Sequence, residues 1–242
     1  MFRSPRAKVL AIVAGVVLVA GIGLGAFLLL RDDAPEEADI ADAGQTLDDE
    51  GLEAASVDDI AGTWQVTAGP GDTEATTTFA GYRIDEELGG GIGAQTAAGR
   101  TGDVTGTVTI ADGQVTEANF EVDMSTLKSS DERRDNQLTG RGLETDAFPT
   151  AGFELTEPVA LPDDAVTGDQ LTFSAPGELT LHGVTKPVTI ELQADLREDL
   201  IAIVGDAPIV LTDYEISPPT GGFVVSVSDQ GSLEFQLFLE PA

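Results

Sequence analysis

The sequence predicts an all-β fold, an antiparallel barrel or sandwich with one short helix, carried behind an N-terminal membrane segment and an acidic linker. Three observations predict it. Residues 9–30 are an unbroken apolar run, residues 32–61 carry acids and no base, and hydropathy alternates with period two from residue 62 onward. The 242 residues suffice for one large domain or two small ones, and no internal repeat divides them.

The first element is a transmembrane helix over 9–30. Its 22 residues would span about 33 Å as a helix, against a bilayer core of about 30 Å. Arg3, Arg6 and Lys8 precede it, and Arg31 is followed at once by Asp32 and Asp33. The positive-inside rule then places residues 1–8 in the cytoplasm and the remainder on the extracytoplasmic side of the cell membrane, single-pass. A cleaved signal peptide fits less well, because the run is long and Phe27-Leu28-Leu29-Leu30-Arg31 offers no small-x-small site. A lipoprotein signal needs a cysteine, and the chain has none. Gly21 and Gly25 offer a weak Gly-x-x-x-Gly face through which two anchors could pair as a homodimer.

Residues 31–61 read as a flexible tether. Twelve acids lie between Asp32 and Asp59 with no base and no aromatic residue, too little apolar surface to offset ordering entropy. The fixed acid spacing of a calcium-binding loop is missing.

The domain is expected over 62–242. Phe120, Val122 and Met124 alternate with Glu121 and Asp123, and Val188, Ile190, Leu192, Ala194 and Leu196 alternate with Thr189, Glu191, Gln193 and Asp195. Leu233, Phe235, Leu237 and Leu239 repeat the pattern, as do 104–110, 171–181, 201–211 and 223–227. Turn chemistry at Ala111-Asp112-Gly113, Gly168-Asp169, Pro218-Pro219 and Asp229-Gln230-Gly231 separates the strands. Nine or ten strands are expected, with Gly89–Gly93 as a loop interrupting the wall. One helix breaks the pattern: Ser129-x-x-Glu132 has capping-box spacing, and Gly140 would end it.

Composition excludes several chemistries. With 43 acids against 12 bases the net charge is −31, so the bulk of the chain does not suit nucleic acid. The absence of cysteine removes thiolate metal sites and thiol nucleophiles, and one histidine, His182, leaves no His-rich metal site. No cofactor is implied: Gly89–Gly93 lacks the lysine of a phosphate loop, and no Gly-x-Ser-x-Gly elbow is present. An enzyme would have to pair His182 with Asp123 or Asp135, whereas a lone histidine at a strand end is more often structural. Asp123, Asp131, Arg133, Arg134 and Asp135 form a charged patch, read either as a solvated helix face or as the rim of a pocket.

A series of blocks resembles one family. Gly81-Tyr82-Arg83-Ile84, Gly99–Gly106, Phe120–Leu127 with Arg134-Asp135, Phe148–Phe153 and Gly177–Val188 resemble, in order and spacing, the YceI-like polyisoprenoid-binding family. The resemblance implies an extended lipocalin-like β-barrel, a bacterial, secreted or periplasmic setting, and a long cavity for an isoprenoid or another amphiphilic lipid, in a family of binders or carriers with no established catalysis. The chain departs from many relatives in its anchor and linker, and in the Gly89–Gly93 and Thr76-Thr77-Thr78 regions.

The residues then point to a membrane-anchored lipid-binding protein. Phe120, Val122, Phe148, Phe153, Leu179, Leu181, Ile190 and Phe235 would hold the apolar tail, each buried CH₂ contributing roughly 0.8 kcal/mol. Tyr82, Arg134 and His182 would lie near the headgroup. The alternative is a filled barrel displayed on a stalk, an interaction module recognising another envelope protein; the same aliphatic residues would build either interior.

Overall fold

Alternating apolar residues form sheet wherever one parity can be buried, and this chain repeats that solution around a closed ring. The computed structural model describes residues 34–162, 167–168, 170–222 and 224–242. The strands are β1 (Gly62–Thr67), β2 (Phe79–Leu88), β3 (Gly93–Thr101), β4 (Val104–Ala111), β5 (Gln114–Asp123) and β6 (Lys128–Ser129). They continue as β7 (Thr150–Leu155), β8 (Val159–Ala160), β9 (Leu171–Leu181), β10 (Val184–Leu196), β11 (Ile201–Val210) and β12 (Val224–Pro241).

Eight of them close an antiparallel barrel in the order β1-β4-β5-β7-β9-β10-β11-β12, with β12 pairing back onto β1. The long β12 makes two joints along one edge. Its last residues, Phe238 to Pro241, pair with β1, whereas Gly231 to Gln236 pair with β2. The barrel is therefore sealed at the β1 end. At the other end β2, β3 and β6 stand as a lip, and residues 224–229 of β12 overhang β11, whose last pairing is Val210 with Gln230. The sealed end is plugged by Trp64, Val108, Ile110, Val115, Leu196, Ile201 and Leu239, and the Trp64 indole donates to the Ile60 carbonyl at 2.8 Å.

The expected disordered tether is corrected in part. Residues Ile40–Asp49 form a helix, α1, which Asp39 caps by accepting from the Ala41 amide. Ile40, Ala43 and Leu47 make an i, i+3, i+7 stripe that packs on Ala202, Val204 and Phe238 of the outer wall. That small stripe suffices because ion pairs flank it. Arg197 is bidentate to Asp195 at 2.7 and 3.2 Å and reaches Asp48 at 2.7 Å.

The predicted helix is α2 (Glu132–Gly140), but its N-cap is Asp131, which accepts from the Arg133 amide at 2.9 Å. Ser129 bonds Asp135 instead of capping, so the expected box does not form. Asp229-Gln230-Gly231 is a bulge inside β12 rather than a turn, since the register shifts between Val227 and Gly231. Gly89–Gly93 does not interrupt the wall: it closes the β2–β3 hairpin, with Gly90, Gly91 and Gly93 all at positive φ. The expected anchor, 9–30, lies outside the described residues, and among the described residues no helix is long and apolar enough to cross a membrane.

Candidate functional site

The inward parity of the barrel strands does not fill the space it encloses. A cavity of about 380 Å³ runs through the barrel above the plug, with an almost wholly apolar wall. Val104, Val108, Ala118, Phe120 and Val122 line it from β4 and β5, and Ala151, Phe153, Ala175, Leu179 and Leu181 from β7 and β9. Ile190, Leu192, Ile203, Ala207, Ile209, Leu233, Phe235 and Leu237 complete the circuit. A filled barrel is thus not what these aliphatic residues build.

Glycine keeps the bore open. Four inward glycines each lie under an aromatic ring: Gly106 under Phe120, Gly177 under Phe153, Gly205 under Phe235 and Gly99 under Tyr82. Three of these are direct cross-strand partners, namely Gly106–Phe120, Gly205–Phe235 and Gly99–Tyr82. A Cβ on Gly205 would stand 2.5 Å from Phe235 Cζ, and one on Gly177 would stand 2.3 Å from two ring carbons of Phe153. The rings therefore lie against the wall instead of crossing the lumen.

One end of the cavity is polar. Arg134 Nη2 donates to Glu86 Oε1 at 2.8 Å, and Gln95 Nε2 donates to the same oxygen at 2.7 Å. Arg134 and Glu86 are largely buried, and Asp131, Arg133 and Gln137 join them at the rim. Burial works to raise the Asp131 pKa, but hydrogen bonds and charge from Arg133, with Arg134 behind, hold it below the usual carboxylate value. The loop after the short 3₁₀ turn at Leu211–Tyr214 contributes Ile216, Pro218 and Pro219 to the same mouth.

Of the predicted residues, Tyr82, Phe120, Val122, Arg134, Phe153, Leu179, Leu181, Ile190 and Phe235 all line this cavity. Phe148 and His182 do not. His182 and Gly183, both at positive φ, form the turn between β9 and β10. The imidazole donates through Nδ1 to the Tyr214 carbonyl at 3.0 Å and meets Glu144 at 3.1 Å through Nε2, with the Phe148 ring 4.2 Å away. This arrangement clasps two loops. Neither Asp123 nor Asp135 reaches His182 in it: Asp123 accepts from Ser125 and Asp135 from Ser129.

Sequence reasoning missed Glu86, Gln95 and the glycine notches. Glu86 carried a signal: it shares parity with Tyr82, Ile84 and Leu88, a charge placed where the pattern demands an apolar side chain.

The arrangement suits an amphiphile, with an apolar bore for a tail and an ionic rim for a head. A sequence model of the YceI-like domain matches residues 72–239. No curated protein sequence matches the chain. Among solved structures, a polyisoprenoid binding domain from Saccharophagus degradans, implicated in plant cell wall breakdown, superposes with a TM-score of 0.56 at 15% identity, covering 74% of this chain and 98% of that one. Burkholderia cenocepacia BcnA superposes with a TM-score of 0.51 at 16% identity, covering 66% and 95% of the two chains.

Proposed function

The chain belongs to the YceI-like domain family, and from that premise we propose that it is a membrane-anchored extracytoplasmic protein whose barrel holds an isoprenoid or similar amphiphilic lipid. The observation that carries this reading is the open apolar bore of about 380 Å³ ending at the Arg134–Glu86 pair. A volume in the range of roughly 300–1,000 Å³, apolar but for a few convergent polar groups, is what small-ligand sites share. The tail would lie against Phe120, Phe153, Leu179 and Phe235, and the head would meet Arg134. The likeness to a polyisoprenoid binding domain from Saccharophagus degradans supports the ligand class.

The role is binding rather than catalysis. The lone histidine spends its ring nitrogens on Tyr214 and Glu144 and is not among the residues that line the bore. The anchor reading rests on residues 9–30 and their flanking charges.

The test is the mass of whatever the barrel carries. The full-length chain is transferred from bacterial membranes into an amphipol, and its folded ion is isolated by native mass spectrometry and then dissociated. A stoichiometric adduct in the isoprenoid or fatty-acyl mass range is expected. A clean apo mass that stays unchanged after incubation with polyprenyl lipids overturns the reading.

A further inference from the structure

The acidic segment before the barrel is a strap with a direction. Its first residues lie high on the outer wall, where Arg83 and Arg100 donate to the carbonyls of Pro35 and Glu36. Both arginines are fixed by the buried Glu234, through their Nε atoms, at 2.7 and 2.8 Å. Arg83 is level with Ser232, which pairs with Pro208, two residues short of the end of β11. From there the strap descends. Helix α1 covers Val204 and Ala202, and the Ala55 amide then bonds the Leu196 carbonyl beside the β10–β11 turn. The described strap therefore begins on the mouth side of the outer wall, at Pro35, and runs from there toward the plug.

Lengths decide what this means for a membrane protein. If the apolar span ends at Leu30, the five steps from there to Pro35 reach at most about 18 Å when fully extended, and the headgroup layer takes roughly 5–7 Å of that. The lip extends from Arg83 to Leu88 of β2, a rise of about 17 Å beyond the strap's attachment. Beyond the headgroups the link is shorter than the lip is tall. A barrel held so closely cannot stand clear of the headgroups with its lip upright. Val225, the exposed large hydrophobic residue among those described at 63% accessibility, lies on the lip beside Val224, which lines the bore.

We propose that the strap mounts the barrel with its mouth against the bilayer surface, so that the lip around Val225 touches lipid and the bore opens onto it. This rests on the anchor reading above, and the occupant of the surface is the lipid bilayer itself. A tether free over all of residues 31–61 would impose no such orientation.

The chain contains no cysteine, so single reporters are clean. Val225→Cys on the lip and Gln114→Cys beside the plug are labelled with an environment-sensitive fluorophore. The full-length chain is reconstituted in phosphatidylcholine vesicles containing a lipid with a nitroxide on its headgroup. The expected result is several-fold stronger quenching at position 225 than at 114. A Gly/Ser insertion of roughly ten residues between Asp33 and Ala34 leaves every strap contact in place and should collapse that difference. Equal quenching at both sites in a chain that floats with vesicles overturns the orientation but not the anchor. An unchanged difference after the insertion overturns the strap as its cause. A chain that fails to float overturns the anchor, and the orientation with it.

Discussion

Single residues set the bore. Gly205 faces Phe235 across the ladder, and an added Cβ would meet Phe235 Cζ at 2.5 Å and Leu192 Cδ2 at 2.7 Å. Gly205→Ala should therefore push the ring into the lumen, at an overpacking cost of about 1–3 kcal/mol. Lipid occupancy by native mass spectrometry should fall, and Gly205→Ala/Phe235→Leu should recover much of it, because the smaller side chain vacates the space. Equal occupancy in wild type and Gly205→Ala would show that the notch does not govern the bore. The sequence displays Phe120 and Phe235 as inward candidates through their alternation, and Phe153 through the Phe148–Phe153 block. It does not display their glycine partners, because a notch is a relation between two strands and register is invisible in one chain. His182 misled for a related reason: its place at a strand end was legible, but its partners Glu144 and Tyr214 lie on two other loops.

At the scale of elements, α1 and α2 show what composition can and cannot reveal. The start and stop of α2 were legible within a residue or two, since Asp131, Glu132 and Gly140 carry local signals. Helix α1 was hidden because twelve acids outweigh a three-residue stripe in any count of composition, whereas folding depends on where Ile40, Ala43 and Leu47 point. The cap of α2 also makes a prediction about acid. The Asp131 carboxyl is held below its ordinary value of 3.8 in the folded chain. A depressed carboxylate contributes stability that is fully present above the unfolded value and is lost as pH falls through the folded one. Helix α2 should thus stay docked from neutral pH down to roughly pH 4 and loosen below it. Amide exchange across 132–140, corrected for intrinsic rates, reads this directly. Asp131→Asn keeps a cap acceptor and should flatten the acid dependence, whereas Asp131→Ala should weaken the helix at every pH by about 1 kcal/mol. An acid profile identical in the Asn variant would assign the loosening to other carboxylates.

Across the whole molecule, stability and binding sit at opposite ends. The plug closes the ring where β1 joins β12, and it is packed around Trp64, which is 4% exposed and hydrogen-bonded to Ile60. At the mouth the strands β2, β3 and β6 continue the wall, and among the described pairings no ladder joins β3 to β4, so the barrel is split there. Removing Trp64 should cost about 3–5 kcal/mol in urea unfolding, as large buried aromatic truncations do. It should leave lipid occupancy of the folded fraction close to wild type, since Trp64 does not line the bore. Hydrogen exchange separates the two ends in one experiment. Protection should be greatest in β1 and in the residues of β10, β11 and β12 near the plug, and least in the lip over 84–97 and 224–229. Loading with a polyprenyl lipid should then slow the lip and α2 selectively, because ligand stabilises only those openings that would release it. Uniform protection along β12, or ligand protection confined to the plug, would mean that the barrel opens as one unit. The split that the ladder describes would then have no counterpart in its motions.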